Sequence, residues 1–387
     1  MNKSSVFAFV LIMGAVNFFG DLTYEGGGSI NGQYLGSLGA TAAIISIAAG
    51  GAEFLGYALR SVAGYIADKT GRYWLVTFVG YVVNALAVPA MALATSWQLA
   101  VVFVLLERTG RAIRKPTVEA MLSYTTGALG KGWVYGLNTA LDEAGATLGP
   151  LVVALVLFGG GSYRFAYSLL LVSALLTLGS LVIARINFPL PARLEQGKTA
   201  QKAGFGSAYW LYMLAGAFFA AGLMSYELVS FHVQQMKVLS EPWMIPVLLA
   251  FATFCGVIAS LVIGRLYDRV GISVVIGAVL LSALFTPLAF AGNFVALLVA
   301  LPLLGLAYAT QDTLLKALIA GVLPEGQRNT AFGLFYVGYG IGWLIGSIAM
   351  GLLYDRSQTA LIVFVVAAQL ASVPLFLAAR RREHRPS

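Results

Sequence analysis

Stretches of about twenty residues without a single charge recur along the whole chain, and they decide what it can fold into. They run Ser5 to Gly20, Ala144 to Tyr163, Phe165 to Ala184, Ala203 to Tyr226, Pro242 to Gly264 and Ser357 to Ala379. A helix needs about 20 apolar residues to cross a bilayer, and in hydrocarbon only helices or closed barrels satisfy their own backbone. Two further runs are too long for one crossing. Tyr73 to Leu106 must turn near Thr95-Ser96-Trp97, and Val270 to Gln311 near Gly292-Asn293, where the turn-forming residues lie. Twelve spans result, placed at 5–24, 38–67, 73–94, 98–124, 132–158, 164–186, 207–235, 243–267, 272–291, 294–320, 328–353 and 358–380. Composition agrees, with 59% hydrophobic residues and only 10% charged ones among 387. An all-α membrane protein is expected. The polar stretch 187–206 is expected to link a first bundle, 1–186, to a second, 207–387, which ends in a basic tail.

Lys and Arg fall unevenly between alternate loops. One side carries Lys3, Lys69, Arg72, Lys131, Arg185, Arg265, Arg269, Arg328 and the Arg380–Arg382 cluster, with the linker's cations; the other carries only Arg164, Lys237 and Arg356. The bias predicts cytoplasmic termini in a cell (inner) membrane. The net charge of +8 is therefore mostly a topology signal rather than a nucleic-acid patch. A lone Cys255 excludes an intrachain disulfide. With two histidines, of which His384 is in the tail, a metal or haem site is not expected, and no cofactor motif is present.

The chain also repeats itself. G-Y-I-A-D-K-T-G at Gly64 to Gly71 returns as G-R-L-Y-D-R-V-G at Gly264 to Gly271. Gly145-x-x-x-Gly149 returns as Gly342-x-x-x-Gly346, T-V-E-A-M-L at Thr117 as T-L-L-K-A-L at Thr313, and T-Y-E at Thr23 as S-Y-E at Ser225. Parallel halves with a substrate between them near the midplane are one of the standard transporter plans.

These residues resemble the major facilitator superfamily across essentially the whole chain. Its loop signature G-x-L-x-D-R-x-G-R is matched at Gly64, Asp68, Lys69, Gly71 and Arg72, and again at Gly264, Asp268, Arg269 and Gly271. The arginine motif of the fourth span is matched at Arg108, with Arg111 where a glutamine is usual. A G-x-x-x-G-P element associated with antiporters is present as Gly145, Gly149 and Pro150. R-A-I-R-K-P-T-V-E-A and A-L-D-E-A-G-A-T-L-G-P further resemble a bacterial subgroup. The resemblance implies twelve helices in two pseudo-symmetric six-helix bundles and secondary transport by alternating access.

Intramembrane charges name the candidate residues. The fourth span carries Glu107, Arg108, Arg111, Arg114, Lys115 and Glu119, each costing about 3 kcal/mol at a helix centre in lipid, so they must face protein or water. Counting rise along the helices pairs Arg108 with Asp142 and Arg114 with Asp68, while i, i+4 spacing pairs Glu107 with Arg111. Pro116 is expected to bend this span. Asp68 is read as a gate that holds the cytoplasmic side closed, its loop reversing at Gly71. Asp21, Glu25, Glu53 and Glu227 are placed towards the outer side as acids that exchange protons, with Glu53 foremost and Asp142 added near the midplane. Tyr24, Arg108, Arg111, Tyr226, Tyr308, Gln311 and Asp312 are candidates to line a substrate cavity.

No nucleophile, metal cluster or phosphate loop supports an enzyme. The expected function is proton-coupled export of a small molecule by a monomer. The alternatives are proton symport of an anionic metabolite, received at Arg108 and Arg111, and a non-transporting membrane sensor.

Overall fold

The computed structural model describes residues 3–123, 131–189, 206–239, 241–321 and 328–383. Side chains are described for these except at 3–5, 68, 123, 131–136, 268, 320–321 and 328–332. The side chains of Asp68 and Asp268, and the expected linker apart from Asn187–Pro189 and Gly206, thus lie outside the described residues.

Every element among the described residues is helical. The first six spans are α1 (Lys3–Ser37), α2 (Ala42–Thr70), α3 (Tyr73–Ala90, closed by a 3₁₀ turn at Met91–Leu93), α4 (Trp97–Ser123), α5 (Lys131–Phe158) and α6 (Tyr163–Asn187). The seventh is α7 (Ser207–Ala221) and α8 (Tyr226–Gln235), the eighth α9 (Met244–Val270), and the ninth α10 (Ile272–Ser282) and α11 (Phe285–Ala289). The tenth is α12 (Phe294–Ala309), a π-helical turn (Thr310–Leu315) and α13 (Lys316–Gly321); α14 (Arg328–Arg356) and α15 (Gln358–Glu383) complete the set. Among the described residues, eleven spans are long and apolar enough to cross a membrane. The twelfth, α4, has the length, at 27 residues, but carries the charges.

Both expected reversals occur where the sequence places them. The chain leaves the helix between the Met91–Leu93 turn and Trp97, and again at Ala291–Asn293, where Asn293 Oδ1 accepts from the Ala296 amide at 2.8 Å as an N-cap. Gly71 and Gly271 both take positive φ, 66° and 70°, so both copies of the motif reverse at their second glycine. At Gly271 ψ is −142°, a region essentially reserved for glycine. Gly271→Ala is therefore expected to cost about 1–3 kcal/mol, read as a lowered melting temperature of the purified protein.

One expectation fails at α1. A span ending near residue 24 would leave Asp21 and Glu25 at the membrane edge, but α1 runs 35 residues to Ser37 and carries both acids in its interior. The run Gly26-Gly27-Gly28 has poor helix propensity, yet it continues the helix because close packing compensates. A Cβ at Gly26 would lie 3.2 Å from the Gly149 carbonyl oxygen of α5.

The helices form two compact units, each made of three segments. Unit one comprises 1–39, 58–196 and 241–250; unit two comprises 40–57, 197–240 and 251–387. The start of α2 thus belongs to unit two. Small residues explain this placement: Ser46 Oγ donates to the Ser347 carbonyl at 2.7 Å, and Gly50 and Gly351 admit α14 and α2 to close approach.

Within unit one, α1 packs on α5 and α6, and α3 on α4 and α6; within unit two, α7 packs on α14 and α15, and α10 on α12 and α15. The sequence repeat is therefore a repeat of packing. The polarity of the surface is that of a lipid-facing protein, with Leu155 and Leu261 more than half exposed while Asp21, Gln33 and Arg114 are buried.

Candidate functional site

The charges of unit one meet at the middle of α1 and α4. Arg114 on α4 is 5% exposed, and its Nη2 donates to Asp21 Oδ1 on α1 at 3.1 Å. Its Nη1 donates to the Tyr81 hydroxyl of α3 at 3.0 Å, and the guanidinium lies 4.5 Å from the centre of that ring. Tyr81 passes the chain on, donating to Asn17 Oδ1 at 2.6 Å, and Asn17 Nδ2 donates to Asn138 Oδ1 of α5 at 2.8 Å. Four helices are thus tied by one polar relay. Such a network in a low-dielectric interior is stable only when its members are matched, and here each link has a partner in a different helix.

The side chain of Arg114 reaches this position because α3 has no bulk in its way. Gly80 of α3 faces the Arg114 backbone closely enough that a Cβ would overlap it, and Gly110 of α4 meets the backbone of Asn84 in the same manner. Asn84 Nδ2 then donates to Glu107 Oε1 at 2.7 Å and to the Glu107 carbonyl at 3.1 Å. The small residues bring the two helices together, and the polar residues hold them.

One turn away is a second ionic group. Arg111 lies 4.0 Å from Glu25 Oε1, and Arg108 lies 3.8 Å from Glu107 Oε2. Both guanidiniums face the ring of Tyr24, at 4.6 Å for Arg108 and 4.0 Å for Arg111. Asp142 of α5 shares the electrostatic field of Asp21, Lys115, Arg114 and Arg111.

The structure therefore redraws the expected pairs that it describes. Arg108 sits against Glu107 and Tyr24 rather than Asp142, Arg111 approaches Glu25, and Arg114 takes Asp21, while the expected Arg114–Asp68 contact lies outside the described residues. The reason is the length of α1: once it continues to Ser37, Asp21 and Glu25 come level with the arginines of α4. The outer placement of these two acids is corrected for the same reason.

The remaining candidates divide between helix ends and unit two. Lys69 lies 5.7 Å from the ring of Tyr65, and Arg72 occupies the N-cap position of α3 without a side-chain capping bond. Gly64 faces Pro116 and Gly264 faces Thr313, so the first glycine of each motif copy sits against the fourth and tenth spans respectively. The helix α4 continues through Pro116. Tyr226 and Glu227 are buried in the first turn of α8, where the helix terminus favours an acid. Their counterparts Tyr24 and Glu25 are in mid-helix, because the seventh span breaks at Gly222–Ser225 and the first does not. Gln369 Nε2 donates to the Gly222 carbonyl at 2.8 Å and so satisfies that break. Glu53 is half-buried on α2. The Gln311 side chain hydrogen-bonds the Tyr57 hydroxyl, and Asp312 pairs with Lys316 at 3.1 Å.

Sequence reasoning missed Asn17, Tyr81, Asn84 and Asn138. Their only signal is a polar side chain inside a membrane span, with Asn17 and Asn138 each four residues before an acid, Asp21 and Asp142.

The profile of the Major Facilitator Superfamily matches residues 5–276 and 243–387. The chain belongs to the major facilitator superfamily. It is 30% identical to an uncharacterised protein of Mycobacterium tuberculosis over 99% of its own length and 95% of that protein. It is 28% identical to an uncharacterised MFS-type transporter of Methanocaldococcus jannaschii over 90% and 89% of the two chains. Among solved structures it is similar to a mutant of the nucleoside transporter NupG, with a TM-score of 0.78 at 14% identity over 96% and 99% of the two chains. A peptide transporter POT mutant bound to sulfate is similar at a TM-score of 0.76 and 15% identity, over 96% and 94%. These likenesses establish the major facilitator fold, a multi-pass membrane protein and a secondary transporter.

Proposed function

We propose that this transporter exports a small organic molecule in exchange for protons, acting as a monomer in the cell (inner) membrane with both termini cytoplasmic. The observation that carries the reading is the Asp21–Arg114 pair at 3.1 Å, buried inside unit one and linked to Tyr81. A proton placed on Asp21 removes the charge that holds Arg114, leaving that guanidinium to Tyr81 and to the field of Asp142. Proton arrival and side-chain rearrangement are then one event, which is the link that coupling requires. Asp142, Glu25, Glu53 and Glu227 are the further acids of the proton path. The repeated Gly64–Arg72 and Gly264–Gly271 loops act as gates, with Asp68 and Asp268 supplying contacts that break on opening. Tyr24, Arg108, Arg111, Tyr226, Tyr308, Gln311 and Asp312 line the substrate path.

The exchange direction is supported by the antiporter-like element. Gly145 and Gly149 receive the Phe18 and Leu22 carbonyls of α1, the turns just before and just after which Asp21 projects. A rigid seam there keeps the acid in register with Arg114.

Everted membrane vesicles with an acidified lumen provide the test, with a fluorescent amine reporting the gradient. Amines, nucleosides, sugars, peptides and carboxylates are added outside one at a time. A compound that is exported in exchange for protons discharges the gradient in vesicles containing the protein, and Asp21→Asn abolishes the discharge. Uptake of a labelled compound with no proton movement would overturn coupling. Discharge only when the compound is preloaded in the lumen would establish symport instead.

A further inference from the structure

One face of α1 is polar at both ends and bare between. Tyr24, Gly27, Gly28 and Asn31 follow one another at i, i+3, i+4 and i+7, a single stripe of the helix. With Val88 of α3 and Glu107 of α4 they line a partly open cleft inside unit one. Its enclosed space is about 10 Å³, which admits one water molecule and no organic group.

Gly28 keeps the cleft open. A Cβ there meets no atom within 4 Å, so alanine would fit, and alanine in mid-helix is the more stable residue. Neither helix stability nor packing therefore selects glycine at this position. Gly27 beside it differs, because its Cβ would lie 2.6 Å from Val88 Cγ1 and close approach explains it. What alanine would remove at Gly28 is the space itself.

The polar ends of the stripe are short of partners. Tyr24 is 6% exposed, yet its hydroxyl has no hydrogen bond among the described residues. Asn31 Oδ1 accepts from the Tyr167 hydroxyl of α6 at 2.7 Å, while its amide N–H groups have no partner among the same residues. A buried hydroxyl left without a bond is costly, and a polar cavity of this size holds a water that meets about two to four such groups. Water also has a way in. Arg108 and Arg111, whose guanidiniums face the Tyr24 ring at 4.6 and 4.0 Å, are 15% and 21% exposed within a spanning helix, and guanidiniums exposed at that depth face water rather than lipid.

We propose that the cleft binds one ordered water between Tyr24 and Asn31, and that this water carries protons to Glu107 from the Ser37 end of α1. That end faces away from the Gly71 loop, and the cleft lies between it and Asp21 along the helix. Glu107 keeps its bond from Asn84 and its 3.8 Å approach to Arg108, and the water is a further donor to a carboxylate that accepts at about four positions. In the transfer the water takes a proton on its solvent side and gives one of its own to a Glu107 oxygen. The water is regenerated, and the carboxylate beside Arg108 becomes neutral. The other titratable and charged groups nearby are Tyr24 of α1 and, one turn away, the Arg111–Glu25 pair; α3 presents Asn84, Ala87, Val88 and Met91, none of which titrates. The inference rests on the reading of the chain as a proton-coupled carrier, and it names the acid that protons meet before the Asp21–Arg114 pair.

Infrared difference spectra of the full-length protein in lipid nanodiscs, taken between alkaline and mildly acidic buffer in ordinary and in heavy-oxygen water, provide the test. Melting temperature verifies folding of each variant. Two signals are expected: a bound-water O–H stretch that moves in heavy-oxygen water, and a carboxyl C=O band that grows on acidification and is absent from Glu107→Gln. Gly28→Ala is expected to melt no lower than the unsubstituted protein and to lose the bound-water stretch. It is also expected to slow the rise of the Glu107 band after a pH jump at least about tenfold. Gly179→Ala, which has equal room on α6 away from the cleft, is expected to change neither signal. A water spectrum unchanged by Gly28→Ala, no carboxyl band that depends on Glu107, or an unslowed rise of that band in folded Gly28→Ala would overturn the proposal. In the everted vesicles, discharge that requires Asp21 but survives both Gly28→Ala and Glu107→Gln would overturn it too, and leave the coupling reading in place. Both infrared signals with no discharge by any compound would sink the coupling reading and leave the water site standing.

Discussion

Arg114→Ala is expected to cost about 3–5 kcal/mol and to abolish proton-driven transport, because it leaves Asp21 buried without its cation and removes the donor to Tyr81. Asp21→Asn leaves the mirror-image defect, an unmatched guanidinium. The double variant is expected to be more stable than the sum of the two single losses predicts, since much of each penalty is an uncompensated charge that the second substitution removes. Arg114→Lys should rescue little of the function, because one ammonium cannot present the fork that contacts Asp21 and Tyr81 from separate nitrogens. Melting curves of the four proteins, followed by fluorescence-detected gel filtration, give the cycle directly. Additive losses would show that the two residues do not depend on each other, and the proton-coupling proposal would lose its central element.

That pairing illustrates how far the sequence could be read. The spans and their reversals were legible because bilayer thickness fixes a length and a glycine or asparagine cluster marks each turn. Family membership was legible in the two copies of the Gly-Asp-Gly loop. Partner assignment was not, because it depended on where α1 ends. The Gly26-Gly27-Gly28 run resembles a helix end in sequence, whereas in three dimensions it lies against Gly149 and the Val88 side chain, contacts made by residues far along the chain. Stopping the helix there moves Asp21 to the headgroups and sends Arg114 in search of Asp68. The break at Gly222–Ser225 and the π-helical turn at Thr310–Leu315 were hidden for a related reason. The first is met by a tertiary contact, Gln369 on the Gly222 carbonyl, that no local pattern reports.

Substitution of the seam glycines is expected to have the second large effect, and to have it in both halves. A methyl at Gly145 or Gly149 would overlap the Phe18 or Leu22 carbonyl of α1, and one at Gly342 or Gly346 would overlap the Ala217 or Ala221 carbonyl of α7. Backbone cannot yield as a side chain can, so the helices must separate. Separation costs dispersion contacts along the whole seam, and in lipid no hydrophobic gain offsets it, because helix association there depends on close packing. Gly149→Val and Gly346→Val are therefore each expected to lose about 3 kcal/mol or more and to reduce the yield of folded protein sharply. Gly179→Ala on α6 and Gly277→Ala on α10 are the controls. Neither has an atom within 4 Å of the new Cβ, and replacing a mid-helix glycine by alanine gains up to about 1 kcal/mol. Thermal stability in detergent measures all four. In unit one the seam carries a further consequence, since Phe18 and Leu22 bracket Asp21: widening it displaces the acid from Arg114. Gly145→Ala should consequently impair proton exchange more than its loss of stability accounts for, whereas Gly342→Ala, whose seam holds no such acid, should impair the two in proportion. Equal proportions in both halves would show that the seam is packing alone.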